Sequence, residues 1–299
     1  MSDAQSAAKP LYDMKKTADF LICIDSDGCI FDTMEVKHKE CFTPNIINHW
    51  NLQAISKYAR EASEYVNLYS KDRGINRFPA LIKVIDLLSE RTEAIKRGFK
   101  APNIDSLREW VQNETKLGDP ALKAYIANHP DDEILAQTLR WTEGVNKSVA
   151  EIVRGVPPFP FVVQSFEKMQ IKADVIVVSA TPHEALVREW EEHGVAKYVK
   201  VIAGQEMGTK KECIAIAKEK GYAADRVLMI GDAPGDYKAA LANDALYFPI
   251  NPGAEDESWQ LFFEEALDKF FEGNYAGEYE KKLIDKFDSY LPDSPPWKK

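Results

Sequence analysis

The sequence predicts an α/β protein: a doubly wound, Rossmann-like parallel sheet with an inserted α-helical domain. Three observations predict it. Short apolar runs recur along the chain, and each ends on a polar residue. Helical patterns with short connections separate the later runs, as βαβ units require. One long stretch, residues 34–154, carries helical patterns and almost no buried-strand signal.

The first run is "FLICID", residues 20–25, a continuous apolar segment of the kind buried on both faces of a parallel sheet. The pattern returns in "ADVIVVSATP", 173–182, in "DRVLMIGDAPGD", 225–236, and more weakly in "KYVKVIAGQE", 197–206. Helical patterns fill 160–170, 183–194, 210–221 and 236–245. Gly194 and Gly221 stand where helix C-termini favour a left-handed residue. Within the insert, 77–91 and 131–153 have an amphipathic helical period, and "RGVPPFP", 154–160, reads as the linker back to the sheet. The tail gives two further amphipathic helices, 257–273 and 278–291, whose aromatic stripes read as packing surface. The expected organisation is a core of 1–33 and 155–299, with 254–299 as its helical extension, and a helical domain of 34–154.

The chain has 299 residues and a formal net charge of −10. An acidic surface disfavours nucleic acid and anionic membrane, though not a small anionic substrate in a cleft where a metal reverses the local sign. No apolar stretch approaches the roughly 20 residues that cross a bilayer, and the first residues lack an apolar signal core. The four cysteines form no C-x-x-C pair and read as reduced thiols of a cytoplasmic protein.

The strand ends carry the chemistry. Asp25 and Asp27 follow the first run, Ser179 ends the second, and Asp232 ends a later one, with Asp236 four residues on. Lys210 opens the helical pattern before that strand. In open parallel sheets, ligands bind at the carboxyl ends of the strands, so sequence-distant groups would meet in one crevice. Asp25 could attack phosphorus, and Asp27 could protonate a leaving alkoxide and then activate water. Asp232 and Asp236 are hard oxygen donors suited to Mg²⁺. Lys210, the Ser179 hydroxyl and nearby N–H groups could hold phosphate oxygens. Each feature alone also reads as a turn, a local hydrogen-bonder or a solvated lysine; their order and shared position favour a site.

These residues resemble the haloacid dehalogenase superfamily. "DSDGCIFDT", 25–33, is similar to its first motif, D-x-D-G-x-x-x-D-T, and "VVSAT", 177–181, to its second. Lys210 in "GTKKECI" resembles the third, with Lys211 as the alternative, and "IGDAPGD", 230–236, resembles the fourth, G-D-x-x-x-D. The likeness covers about 17–35 and 155–252. It implies Asp25 as nucleophile and metal ligand, and Asp27 as general acid/base with its backbone carbonyl on Mg²⁺. It implies Ser179 and Lys210 as phosphoryl binders, Asp232 as a metal ligand, and Asp236 as a ligand directly or through water. It further implies that the insert is a helical cap closing over the crevice. An aspartate at 27 sets the chain apart from the dehalogenase, phosphonatase and ion-pump branches. It favours hydrolysis of a small phosphorylated metabolite. A sugar-phosphate mutase similar to β-phosphoglucomutase is the alternative, and a non-catalytic phosphate-binding regulator is a third reading. Arg73 and Arg77 in "SKDRGINRF" are the candidate substrate contacts outside the core, since arginine suits a second phosphate or a carboxylate.

Overall fold

Alternate side chains of each apolar run face opposite sides of one sheet, and both sides are buried. Phe20, Ile22, Ile24, Val175, Val177 and Ile230 pack on one face with Phe166, Trp190 and Trp259. Leu21, Cys23, Ile176, Val178 and Met229 pack on the other with Ile214, Ala217 and Phe287. This two-sided burial is why the runs are continuously apolar. The computed structural model describes residues 6–298. Its strands are β1 (Phe20–Ile24), β2 (Ala173–Val178), β3 (Val201–Ala203), β4 (Val227–Gly231) and β5 (Leu246–Pro249). All pairs are parallel, in the order β3-β2-β1-β4-β5. The α/β doubly wound core expected from the sequence is therefore what forms. The chain runs outward from β1 to β3, then returns to β4 on the other side of β1. That reversal places the switch point between β1 and β4.

The strand β5 lies beyond the helical pattern expected over 236–245 and was not among the expected strands. The helix ends at Leu241, and "LYFP" adds an edge strand. The segment is too short to show a period, and its proline is tolerated because an edge strand needs no donor on its outer side. The edge is covered: the Tyr247 N–H donates to the Glu280 carboxylate at 2.8 Å. The tail helix over 255–272 contains a π-helical stretch, Phe262–Ala266. Its aromatic residues Trp259, Phe262 and Phe270 are buried in the core, and the Trp259 indole donates to the Cys29 carbonyl at 2.7 Å. The four cysteines are buried free thiols.

A second compact unit comprises Glu35–Arg154 and the segment from Pro292 onward. It is helical. Asn76 caps Arg77–Glu90 by accepting the Phe78 N–H at 3.0 Å, and Asp132 caps Glu133–Ile152 by accepting the Leu135 N–H at 2.9 Å. With the helix Asp105–Asn113, these helices bury Phe78, Leu81, Leu88, Trp110 and Trp141 together. The Phe78 and Trp110 rings meet edge to face at 4.8 Å. The Arg91 guanidinium lies between the rings of Tyr58 and Trp297, 4.6 and 4.3 Å from their centroids, and pairs with Glu61. Among the described residues, no helix is long and apolar enough to cross a membrane.

At the amino end of β2, Asp174 ties the approach to β1 to the sheet. It is 2% exposed. Its carboxylate accepts the Thr17 and Ala18 N–H groups at 2.8 and 3.0 Å and the Thr17 hydroxyl at 2.6 Å. The Tyr222 hydroxyl donates to it, and the Lys200 ammonium sits 2.8 Å away. Burial alone would raise the carboxyl, but these donors outweigh it and hold it down at about 2, against an ordinary 3.8. A depressed folded-state value means stability that is present above pH 3.8 and lost as pH falls through about 2. We expect Asp174→Asn to lower the unfolding free energy near neutral pH by about 2 kcal/mol. The gap between parent and variant should close as urea titrations are repeated at falling pH. A gap independent of pH would assign the loss to packing instead.

Candidate active site

The register of β1 on β4 sets Ile24 beside Ile230, and the Asp25 N–H continues the ladder by donating to the Ile230 carbonyl at 3.0 Å. Asp25 and Asp232 thus leave two adjacent strands at the same edge. Both are buried, as are Asp236 and Ser179. One carboxylate oxygen of each of Asp25, Asp232 and Asp236 lies within 4.8 Å of the other two.

Asp236 is placed by the helix Pro234–Leu241. Its carboxylate reaches back to accept the Ala233 N–H at 3.1 Å, as an acid in a first helical turn does. It also lies across the backbone of Gly231. A Cβ at Gly231 would fall 2.4 Å from the Asp236 Cγ, so the glycine is needed for room. Lys210 opens the helix Lys210–Lys218. A lysine there opposes the helix dipole, and a capping box steadies the turn. The Thr209 hydroxyl accepts the Glu212 N–H at 3.2 Å, and the Glu212 carboxylate accepts the Thr209 N–H at 2.8 Å. The Lys210 ammonium then reaches Asp25 and Asp236 at 2.5 Å each. Lys211 is exposed, so of the two lysines in the motif it is Lys210 that enters the cluster.

Burial pushes the Asp25 carboxyl up to about 6; Lys210 opposes the rise and Asp236 adds to it. Asp236 is raised for the same first reason, with Lys210 again opposing and Asp232 adding. Burial disfavours the Lys210 ammonium, yet Asp236 and Asp25 together carry it above its usual range. Asp25 and Asp236 therefore share the Lys210 ammonium in a desolvated place, with the Asp232 carboxylate grouped beside them. The donor set, all carboxylate oxygens and closely grouped, fits a hard divalent cation such as Mg²⁺.

Asp27 lies in a different environment. Gly28 has φ +73°, a left-handed turn that suits glycine, and carries the chain away. One Asp27 oxygen accepts the Thr33 hydroxyl at 2.5 Å and the other accepts the Thr181 hydroxyl at 2.7 Å. Its carboxylate is not in the three-acid group. Ser179 follows β2, its N–H donating to the Ala203 carbonyl at 2.9 Å and its hydroxyl accepting the Thr181 N–H at 3.2 Å. Thr33 and Thr181 were inside the motifs read from the sequence but carried no role there. Their signal was weak: each is a hydroxyl at a turn, where hydroxyls are common.

Arg73 and Arg77 belong to the helical unit. Arg73 is buried and donates to the Leu68 carbonyl at 3.0 Å. Arg77 donates to the Thr142 hydroxyl at 2.8 Å and to Asn146 at 2.7 Å, which ties the first helix of that pair to Glu133–Ile152.

No protein-family model and no curated protein matches the chain. Solved structures are similar at low identity. One is a predicted phosphoglycolate phosphatase from Haemophilus somnus, 14% identical, covering 78% of this chain and 86% of that one, with a TM-score of 0.47. A haloacid dehalogenase-like family hydrolase from Xanthomonas campestris is 12% identical over 88% of this chain and 98% of its own, with a TM-score of 0.44. A HAD hydrolase of family IA, variant 3, from Entamoeba histolytica is 12% identical over 91% and 98%, with a TM-score of 0.42. At these values the functional reading rests on the side chains of the site.

Gly231→Ala tests the geometry of the cluster. The added methyl must displace the Asp236 carboxylate, at a cost of about 1–3 kcal/mol typical of overpacking. Urea unfolding of the variant measures it. An alanine variant as stable as the parent would mean that Asp236 is not seated over residue 231.

Proposed function

We propose that the chain is a Mg²⁺-dependent phosphatase of the haloacid dehalogenase superfamily, hydrolysing a small phosphorylated metabolite through an aspartyl phosphate on Asp25. The observation that carries this reading is the separation of two neighbouring acids into two environments. Asp25 lies with Asp232, Asp236 and Lys210 in a group suited to a cation and an anion. Asp27 lies two residues on, outside that group, with its carboxylate accepting the Thr33 and Thr181 hydroxyls. Pairs of acids so divided take different parts in a reaction.

On this reading an Asp25 oxygen attacks phosphorus and the ester P–O bond breaks. Asp27 gives its proton to the departing alkoxide. Water then attacks the same phosphorus, gives a proton to Asp27, and phosphate leaves while the Asp25 carboxylate returns. Lys210 neutralises oxygens of the transferring group, and the Ser179 hydroxyl with nearby N–H groups orients it. Mg²⁺, held by Asp25, Asp232, Asp236 and the Asp27 carbonyl, would supply the positive charge that offsets repulsion between two anions.

Release of inorganic phosphate from a panel of phosphorylated metabolites is the direct test. Turnover should need Mg²⁺ and stop with EDTA. Asp25→Asn should abolish it, and Asp27→Asn should lower it by about 10²–10⁴. Millimolar Mg²⁺ should also raise the melting temperature of the parent, and less so that of Asp232→Asn, by mass action on the folded state. Transfer of phosphate within a sugar, without release, would favour a mutase. Inertness towards the whole panel would favour a phosphate-binding regulator.

A further inference from the structure

We propose a second anion-binding site, at the amino edge of the sheet: a cavity of about 920 Å³ whose lysines take a small polyphosphate. It lies at the other end of the strands from the carboxylate cluster, about 16 Å away along β1, and does not rest on the phosphatase reading.

Three segments line the cavity, each leading into a strand. Lys16 and Asp19 precede β1, Lys172 and Asp174 flank the first residue of β2, and Lys197 and Lys200 precede β3. In a parallel sheet these starts share one edge, so basic segments distant in sequence meet there. The whole chain has 48 acidic residues against 38 lysines and arginines. The cavity inverts that balance, with four lysines and two aspartates in its wall. Both aspartates are already matched. The Lys200 ammonium sits 2.8 Å from Asp174, and the Arg226 guanidinium 3.5 Å from Asp19. Lys16, Lys172 and Lys197 remain, and among the described residues none of the three pairs with a carboxylate.

Those three ammonium groups are held without being neutralised. Lys16 donates to the Gly221 carbonyl at 2.8 Å and lies 4.9 Å from the centre of the Tyr222 ring. Lys172 lies over the Phe271 ring at 5.4 Å, and Lys197 over the Tyr198 ring at 4.9 Å. A carbonyl dipole or an aromatic face attracts a cation and leaves its charge available. The floor is fixed as well, because Asp174 binds the Thr17 and Ala18 N–H groups beside Lys16. Order present before a ligand arrives lowers the cost of binding it. The wall contains lysine and no arginine. Lysine is a point charge without the planar fork that matches a carboxylate. Several such charges around one cavity suit a compact anion that carries several charges on neighbouring tetrahedral groups. The Tyr198 ring already stacks on Phe166 and carries Lys197, so charge and not base stacking governs the affinity.

Titration calorimetry with sodium tripolyphosphate, at low salt and with EDTA present, tests the site. The parent should bind the probe. Lys172→Gln combined with Lys197→Gln should weaken binding about tenfold or more. Lys282→Gln combined with Lys286→Gln takes the same charge from exposed positions of the helix Glu278–Tyr290. That control should stay within about twofold of the parent, since distant exposed charges are screened. Adenosine triphosphate in place of tripolyphosphate identifies the source of the anion. Similar affinity for the two assigns the site to the polyphosphate alone. Tighter binding of the nucleotide, lost in the same Lys172 and Lys197 variant, assigns it to the polyphosphate of a nucleotide. A parent that binds neither probe overturns the proposal. Equal loss in both double variants also overturns it, because net charge and not this cavity would then attract the anion. No loss in either overturns it too, by placing the anion elsewhere on the protein.

Discussion

Three grouped, buried carboxylates, two of them paired with the Lys210 ammonium, form the constraint on which the core is organised. Isolated, each charge would be far too costly to desolvate. The group persists because the Lys210 ammonium touches two of the acids and backbone N–H groups touch Asp25 and Asp236. Each of those contacts depends on a larger feature. The β1–β4 register brings Asp25 level with the end of the neighbouring strand. A capped helix start aims the lysine, and a glycine leaves space for the last carboxylate. A divalent cation is the kind of charge that a group of carboxylate oxygens at this spacing would hold.

Much of this was legible in the sequence. The runs that form β1, β2 and β4 are apolar throughout because both sheet faces are covered, and their polar ends mark the edge where the acids meet. The spacing of Asp232 and Asp236 was readable because a strand end and a first helical turn are rigid. Other features were not readable. The strand β5 is short and sits at an edge, so neither period nor composition announces it. The bonds of Arg77 to Thr142 and Asn146 were not readable, because those partners lie 65 and 69 positions away in the chain. Thr181 was invisible for the same reason: its partner lies 154 positions earlier in the chain.

The two acids of the first motif show how little sequence distance determines chemistry. Asp25 lies among charges, and burial lifts its carboxyl to about 6. Asp27 bonds to two hydroxyls, Thr33 and Thr181, that carry no charge. The environments differ because the left-handed turn at Gly28 ends the extended path after only two residues. Proteins that run acid and base steps with like side chains need such a division.

The helical unit is assembled from two separate stretches, and its second piece is the segment from Pro292 onward. Trp297 covers the guanidinium of Arg91, a residue just 6% exposed, and Lys298 bonds Glu90 beside it. Residues 35–154 are therefore not a cassette that can be lifted out or exchanged whole. Grafted into another scaffold, they would arrive with one aromatic wall of the Arg91 slot missing, and shortening the far end of the chain would wound a unit that begins more than a hundred positions upstream.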